Sequence, residues 1–262
     1  MLEIRSVFGR VTTQVVLTLM ILPFAFPLIA MIQGSLGGDR FGNYRQVLVL
    51  PELPLFFRNS LLYALGTVML AYACTMLAAF ALAKLRLRGK EVFFYVLLLA
   101  LTMPSAALTV PLYIVVQRIG LLDNPVAVIL PLVALAIPFN VLLARGFVAA
   151  LPEEIFESAR MDGCGNLRMF WHIVLPLTRP ISAVIVVWTF LASWNEYLLP
   201  LLFLQNPDKQ VVTQLPQYFT AQYGSDQTKI FAGAVLVALP TVVVYLALQR
   251  LFERGLTAGA VK

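Results

Sequence analysis

The sequence predicts an all-α membrane protein, a polytopic bundle of six transmembrane helices. Of its 262 residues 60% are hydrophobic and 12% are charged, and its mean hydropathy is +0.87. Soluble domains carry about a quarter charged residues, so lipid must be the main solvent of this chain. Six apolar stretches are long enough to cross a bilayer, which takes about 20 residues as a helix. The predicted spans are Val11–Ile32, Asn59–Ala83, Val92–Val116, Val126–Ala144, Ile181–Leu204 and Ile230–Leu251.

The first span is predicted to be a retained anchor. Its apolar core exceeds the roughly 7–15 residues of a secretory signal, and no clear small-residue cleavage site follows it.

The distribution of lysine and arginine predicts that both termini lie in the cytoplasm. With that orientation, thirteen of the nineteen basic residues fall on the cytosolic side, as the positive-inside rule requires. The strongest part of the bias is the cluster Lys84–Lys90. The cytosolic set is Arg5, Arg10, Lys84, Arg86, Arg88, Lys90, Arg145, Arg160, Arg168, Arg179, Arg250, Arg254 and Lys262.

Several predicted spans contain proline, which removes a backbone donor and kinks a helix. Such kinks are either ordinary features of a bundle or bends that line a transport pathway, and the prolines alone do not distinguish the two. The prolines concerned are Pro23, Pro27, Pro104, Pro111, Pro131, Pro138, Pro200 and Pro240.

Few residues suit catalysis, metal binding or nucleic-acid binding. The single histidine, His172, falls in a polar loop, and Cys74 and Cys164 lack the spacing of a metal site. The net charge of +6 is spread between apolar stretches and forms no basic face of the kind that binds nucleic acid. We therefore expect neither an enzyme nor a nucleic-acid-binding protein, and no metal site.

The loop between the fourth and fifth spans is long and amphipathic. Pro152 suits the first helical position, two glutamates suit the positive helix start, and Gly163 suits the helix end. On a helical wheel Ile155, Phe156, Ala159 and Gly163 share a face, where Ala159 and Gly163 leave a shallow notch for another backbone. A second short helix is predicted near Asn166–Ile173. The segment is either a solvated surface helix or a docking helix, and its length and small-residue patch favour docking.

This loop resembles that of permease subunits of ATP-binding-cassette (ABC) importers, in the carbohydrate-uptake, maltose-type branch. That family's loop has Glu-Ala-Ala, three residues, Gly, nine residues, Ile, any residue, and Leu-Pro. Ser158 is the single departure here, a small-for-small exchange. The matching residues are Glu157, Ser158, Ala159, Gly163, Ile173, Leu175 and Pro176.

The resemblance extends over most of the chain. Asn59-Ser60 resembles the start of the family's core domain, and Trp194-Asn195 and the tail ending at Lys262 also match. It implies the type I ABC importer fold, with residues 1–10 as a cytosolic N-terminus and 11–58 as the first helix and outer loop. Residues 59–251 would form the core domain, with coupling loop 152–176, and 252–262 a cytosolic tail.

The resemblance also implies the partners. These are a second permease of different sequence, an ABC ATPase dimer that receives the coupling loop, an extracytoplasmic solute-binding protein, a sugar substrate and the lipid bilayer. The chain would be a non-catalytic, multi-pass subunit in a prokaryotic inner membrane. Its only Gly-Lys pair, Gly89-Lys90, is followed by Glu91 and forms no phosphate-binding loop. ATP and Mg²⁺ would therefore be held by the ATPase subunits, and this chain would hold no cofactor.

Glu196 is an acid inside a predicted span. Thirteen Ile, Val, Leu and Phe residues between 181 and 204 contribute about 4–8 kcal/mol toward insertion, against roughly 2.5–3.5 for one central charge, so the span tolerates it. Trp194, Asn195, Glu196 and Tyr197 offer the aromatic face and hydrogen-bonding groups that a polyol needs. Alternatively, Glu196 is a polar clamp between helices.

The outer loop 205–229 is either a floppy connector or, by the resemblance, a contact for the solute-binding protein. The loop motif is shared across ABC importer branches, so a peptide or amino-acid permease stays open. A self-sufficient secondary transporter or channel is a further alternative, because six spans and a charged span residue fit it as well.

Overall fold

The computed structural model describes residues 7–221 and 226–258, which form helices joined by short turns and, within those ranges, no strand. The predicted all-α class is confirmed. A π-helical turn, Phe170–Val174, joins α8 to α9, and two 3₁₀ turns, Pro207–Lys209 and Val212–Gln214, precede α12. The helices are α1 Val7–Ser35, α2 Phe41–Leu48, α3 Leu53–Lys84, α4 Lys90–Ala100, α5 Ser105–Arg118, α6 Pro125–Ala149, α7 Glu153–Met161, α8 Asn166–Met169, α9 Leu175–Leu177, α10 Arg179–Trp194, α11 Leu198–Phe203, α12 Leu215–Ala221 and α13 Gln227–Ala258.

Parts of two predicted segments fall outside this description. They are residues 1–6 of the N-terminus and residues 259–262 of the tail that ends at Lys262.

Four unbroken helices are long and apolar enough to span a membrane. They correspond to the predicted first, second, fourth and sixth spans, and the prolines inside α1, α6 and α13 do not interrupt them. Their membrane-compatible segments are Gly9–Ser35, Leu53–Lys84, Pro125–Ala149 and Gln227–Gln249.

The predicted third span is broken. α4 and α5 meet at an angle of 103°, at a break that ends with Pro104. Proline has no N–H for the helical ladder and disfavours helical geometry in the residue before it, which favours an end of α4 before Pro104.

The predicted fifth span is also interrupted. α10 ends at Trp194, and α11 begins after a three-residue break. The helical segment Asn166–Leu177 meets α10 at 81°. The number of spans reaches six when each bent pair is counted as one span.

The chain divides into two compact units, one of Met1–Leu53 and Leu215–Leu239 and one of Pro54–Gln214 and Pro240–Lys262. In the first unit Asn43 fastens the turn between α1 and α2, because its Nδ2 donates to the main-chain oxygens of Ser35 (2.9 Å) and Gly37 (2.7 Å). Thr228 Oγ1 donates to Asn43 Oδ1 at 3.2 Å.

The second unit contains two buried apolar clusters. The first cluster packs the ends of α3 and α6 against α7, the π-helical turn and the start of α10. Its members are Met76, Ala79, Phe80, Ala144, Val148, Phe156, Ala159, Met169, Phe170, Val174, Ile181, Val184 and Ile185. The second cluster joins α3, α5, α6 and α11 around Phe203. The first cluster positions the loop that carries the candidate functional site.

Candidate functional site

The predicted amphipathic loop forms two helical segments, α7 and the run from Asn166 to Leu177. Pro152 has an extended ψ of 134° and is the N-cap of α7, so its prediction as the first helical residue is wrong by one position. Glu153 and Glu154 occupy the first turn as predicted, where their charges suit the helix dipole.

Gly163 ends α7 through a Schellman motif. The N–H of Gly163 donates to Arg160 O at 3.0 Å, and the N–H of Cys164 donates to Ala159 O at 2.9 Å. This pairing of bonds requires a left-handed residue after the helix, and Gly163 has φ of +74°. The predicted role of Gly163 as the helix end is confirmed.

The small-residue face of α7 packs into the protein's own core. Phe156 and Ala159 are buried in the first cluster, where the Phe156 and Phe80 rings lie 6.5 Å apart. The interpretation that Ala159 leaves a notch open to a partner backbone is therefore wrong, since Phe80 and its neighbours occupy that side. A helix that lies between two spans can bury its apolar face against the ends of the protein's own spans.

The structure distributes the seven motif residues over both sides of the loop. Ala159 is buried, while Ile173 and Leu175 are half-buried against the first cluster. Glu157, Ser158, Gly163 and Pro176 are exposed.

The exposed side of the loop also carries three large apolar side chains that the sequence analysis missed. Met161 is 88% exposed, Leu167 71% and Trp171 63%. Leu167 and Trp171 are four residues apart, a spacing that places them on one helix face and would have predicted them.

Charged side chains bind the loop to neighbouring helices. Glu153 receives a hydrogen bond from Lys84 Nζ at 3.1 Å and lies 3.3 Å from Arg160 Nη1. Lys84 and, secondarily, Arg160 hold the pKa of Glu153 below its usual range. Outside the loop, Arg145 of α6 donates two hydrogen bonds, of 2.7 and 2.8 Å, to the carboxylate of Glu91 in α4.

The four consecutive residues predicted for the substrate pathway differ in their exposure. Trp194 is buried, with its ring centroid 6.0 Å from that of Phe57 and 5.7 Å from that of Phe190. Asn195 and Tyr197 are exposed. Trp194 borders an apolar groove of about 440 Å³ whose lining residues are Phe57, Arg58, Leu61, Phe190, Trp194, Pro240, Val243 and Val244.

Glu196 lies in the break between α10 and α11 and caps α11. Its Oε1 accepts the N–H groups of Leu198 (2.8 Å) and Leu199 (3.0 Å). Main-chain groups of the first turn thus satisfy this oxygen, and the prediction of Glu196 inside a continuous helix is wrong.

Asp123 fastens the first part of the outer loop. Its Oδ1 accepts the N–H groups of Gln205 (3.2 Å) and Asn206 (2.9 Å), and its Oδ2 lies 2.9 Å from Lys209 Nζ. These bonds, that from Asn206 foremost, lower the pKa of Asp123. We call Asp123, Gln205, Asn206 and Lys209 the Asp123 latch.

The start of α3 holds the same loop. Asn59 Nδ2 donates to Asp208 O (2.8 Å) and Gln210 O (2.9 Å), and Ser60 Oγ accepts the N–H of Val212. Residues 205–212 are thus held in place, and for them the floppy-connector alternative is wrong. Gly224 of the predicted loop lies outside the described residues.

Residues 71–258 match the family described as "Binding-protein-dependent transport system inner membrane component". The chain is 32% identical to the diacetylchitobiose uptake system permease protein NgcG of Streptomyces coelicolor, over 84% of this chain and 74% of that protein. It is 31% identical to the lactose transport system permease protein LacG of Rhizobium radiobacter, with 90% of each chain covered. It is 34% identical to the maltodextrin transport system permease protein MdxG of Bacillus subtilis, over 79% of this chain and 75% of that protein.

The fold is similar to that of a chain in the crystal structure of a bacterial ABC transporter involved in the import of the acidic polysaccharide alginate. The TM-score is 0.81 at 23% identity, covering 95% of this chain and 99% of that one. A crystal structure of a bacterial alginate ABC transporter in complex with an alginate pentasaccharide-bound periplasmic protein matches with a TM-score of 0.71, at 15% identity, covering 95% of this chain and 97% of that one. The predicted ABC importer transmembrane fold is confirmed.

Proposed function

Because the chain belongs to the family of binding-protein-dependent transport system inner membrane components, we propose that it forms half of the translocation pathway of an ATP-driven sugar importer. The sugar assignment draws on relatives whose names specify diacetylchitobiose, lactose and maltodextrin. These names favour a sugar or sugar derivative over the peptide or amino-acid alternative.

The main structural support for this proposal is that loop 153–176 has one buried side and one exposed side. One side packs into the first cluster, and the other presents Met161, Leu167 and Trp171 beside exposed carboxylates. Large exposed apolar side chains rimmed by polar residues are typical of protein-binding surfaces. We assign this outer side, with Glu157 and Ser158, to the ATPase subunit.

The loop would act as a two-state coupling element. ATP binding closes the ATPase pair, the loop moves with it, and the attached helices turn a cytosol-facing cavity outward; hydrolysis reverses the change. A ligand shifts such an equilibrium only by binding one state more tightly than the other, and here the ATPase pair supplies that difference. The chain itself would hydrolyse no ATP.

The other proposed partners follow the family pattern. A solute-binding protein would deliver sugar to the outer side, consistent with the periplasmic protein in the alginate transporter complex. A second permease of different sequence would complete the pathway, and both termini would lie in the cytoplasm. The outer loop is the proposed receptor contact, and loss of receptor pull-down when 213–229 are deleted would support it.

Asn195 and Tyr197 are our candidates for contacts with sugar. Both are exposed, and Asn195 Oδ1 accepts a hydrogen bond from Thr241 Oγ1 at 3.3 Å. An amide and a phenol beside an aromatic ring are groups that bind hydroxyls. In this assignment Trp194 supports the site from within the core.

Site-directed crosslinking tests the coupling assignment. In a Cys74→Ala, Cys164→Ser background, Met161→Cys should crosslink to the ATPase subunit within the assembled transporter, while Asn206→Cys in the outer loop should not. Absence of crosslinks from Met161→Cys, Leu167→Cys and Trp171→Cys in an ATPase-containing complex would reject the docking surface.

A further inference from the structure

The coupling loop is bound to a helix that is not its neighbour in sequence. Lys84, the last residue of α3, donates from Nζ to Leu151 O at 2.7 Å, just beyond the end of α6. The same ammonium lies 3.1 Å from Glu153 Oε2 and 4.7 Å from the centre of the Phe156 ring. The Lys84 ammonium thus contacts both Glu153, the first residue of α7, and the buried ring of Phe156.

An aromatic contact one turn earlier strengthens this connection. The Phe80 ring lies 6.5 Å from Phe156 of α7 and 5.9 Å from Phe170 of the π-helical turn. The end of α3 therefore touches both helical segments of the loop. Aromatic pairs at these separations attract beyond the area they bury.

The ion pair is asymmetric. The Lys84 side chain is 6% exposed and that of Glu153 48%. Without Glu153, Lys84 retains Leu151 O and Phe156; without Lys84, both of those contacts are lost. Of the two charged residues, Lys84 therefore makes more of the contacts at this junction.

We propose that Lys84 is a positioning residue that joins the coupling loop to α3, so that movement of the loop is passed to this span directly. The C-terminal carbonyls of a helix attract cations, which explains why an ammonium binds beyond the end of α6. α6 and α10 are connected to the loop by the chain itself, whereas α3 is connected to it only through non-covalent contacts of its side chains. One substitution at Lys84 removes the polar part of this junction, while the contacts of Phe80 remain.

This inference rests on the proposed coupling function. The first test reconstitutes the complete transporter in vesicles and measures sugar transported per ATP hydrolysed. Lys84→Met should lower this ratio by about tenfold, within the usual range of coupling between sites, while nucleotide binding persists. Lys84→Arg should restore it, since a guanidinium also donates to a carbonyl and a carboxylate.

Lys90→Met is the matched control. It removes the same charge from the same polar segment, but Lys90 Nζ donates to Leu85 O and not to the coupling loop. It should leave the ratio unchanged. A Lys84→Met transporter with a wild-type ratio, or a Lys90→Met transporter with an equal loss, would overturn the proposal.

A distance measurement covers the case in which Lys84→Met does not assemble. Spin labels at Arg86→Cys and Asp162→Cys, both exposed, report on the end of α3 and the end of α7. In the otherwise wild-type transporter, with Cys74→Ala and Cys164→Ser, their separation should be the same without nucleotide and with ATP bound. A separation that changes with nucleotide would show that α3 does not follow the loop.

The two proposals fail separately. If Met161→Cys crosslinks to the ATPase but Lys84→Met couples normally, the docking surface is supported and the proposed role of Lys84 is rejected. If Met161→Cys and its neighbours do not crosslink, the coupling assignment itself is wrong.

Discussion

Backbone geometry, and not crowding, is what restricts position 163 to glycine. A Cβ added there would meet no atom within 4 Å, yet φ is +74°. A left-handed backbone costs a residue other than glycine about 1–2 kcal/mol, and asparagine tolerates it better. The constraint therefore lies in the direction of the chain as it leaves α7.

We predict that Gly163→Val and Gly163→Trp uncouple transport from ATP hydrolysis, while Gly163→Asn retains most of the coupling. The reason is that valine and tryptophan disfavour the turn that directs the chain toward α8. Uptake and ATPase rates in vesicles, at equal membrane abundance, would measure this. Normal uptake by the valine and tryptophan variants would contradict a role for this turn.

Glu196 illustrates a polar residue whose role depends on a helix break. We predict that Glu196→Ala lowers the free energy of unfolding by about 1 kcal/mol, because two N–H groups at the start of α11 lose their acceptor. Glu196→Gln keeps an acceptor and should be close to wild type.

Thermal unfolding of the purified complex, together with the sugar affinity, separates the two interpretations of Glu196. A fall in affinity with unchanged stability in Glu196→Ala would instead assign this carboxylate to the substrate.

At the scale of the secondary-structure elements, the Asp123 latch connects the α5–α6 turn to the outer loop. Asp123 has a lowered pKa, so its contribution to stability is present above its unfolded pKa, near 3.9, and is lost as the pH falls through the lower folded value.

We therefore predict that Asp123→Asn lowers the unfolding temperature at neutral pH. The difference in unfolding temperature between Asp123→Asn and wild type should shrink only below about pH 4. Asp208→Asn is the control, since Asp208 accepts the Asn59 bond through its main-chain oxygen. An equal effect of the two variants at neutral pH would contradict the latch.

Hydropathy correctly located the apolar helices but did not predict where two of them are interrupted. A window of apolar residues passes through Pro104 and through Asn195–Tyr197 without a marked change, although the helices break at both places. Conversely, Pro131 and Pro138 remain inside α6. Whether proline breaks a helix depends on what satisfies the freed carbonyls, and that is a tertiary property.

The helical wheel of α7 correctly grouped Phe156 with Ala159 but gave that face the wrong neighbour. Periodicity shows which residues share a face and does not show whether the face meets lipid, a partner or the protein's own core. The exposed Met161 and Trp171 lie outside the seven motif positions, so the motif gave no indication of them.

At the scale of the whole molecule, composition alone established the membrane class, because a chain with 12% charged residues cannot cover its own surface with polar groups. The fold was predictable once the loop motif was identified. Long-range contacts such as Lys84 with Leu151, 67 positions apart, leave no signal in a single sequence.

We predict that a membrane-impermeant thiol reagent labels Asn206→Cys and spares Arg88→Cys in sealed cells, in a background without Cys74 and Cys164. This outcome follows from the proposed orientation, in which both termini and the excess of basic residues lie on the cytoplasmic side. Opening the cells should make Arg88→Cys reactive. The reverse pattern would invert the proposed orientation.

The basic residues counted toward orientation are not equivalent. Lys84 and Arg145 each tie one helix end to another segment, whereas Arg86 and Arg88 are exposed. Neutralising these cations to change the topology of the chain would also remove a contact between segments at the first two positions, whereas it would remove only an exposed charge at the last two. We accordingly expect substitutions to be better tolerated at Arg86 and Arg88 than at Lys84 and Arg145, although a hydropathy plot treats all four residues alike.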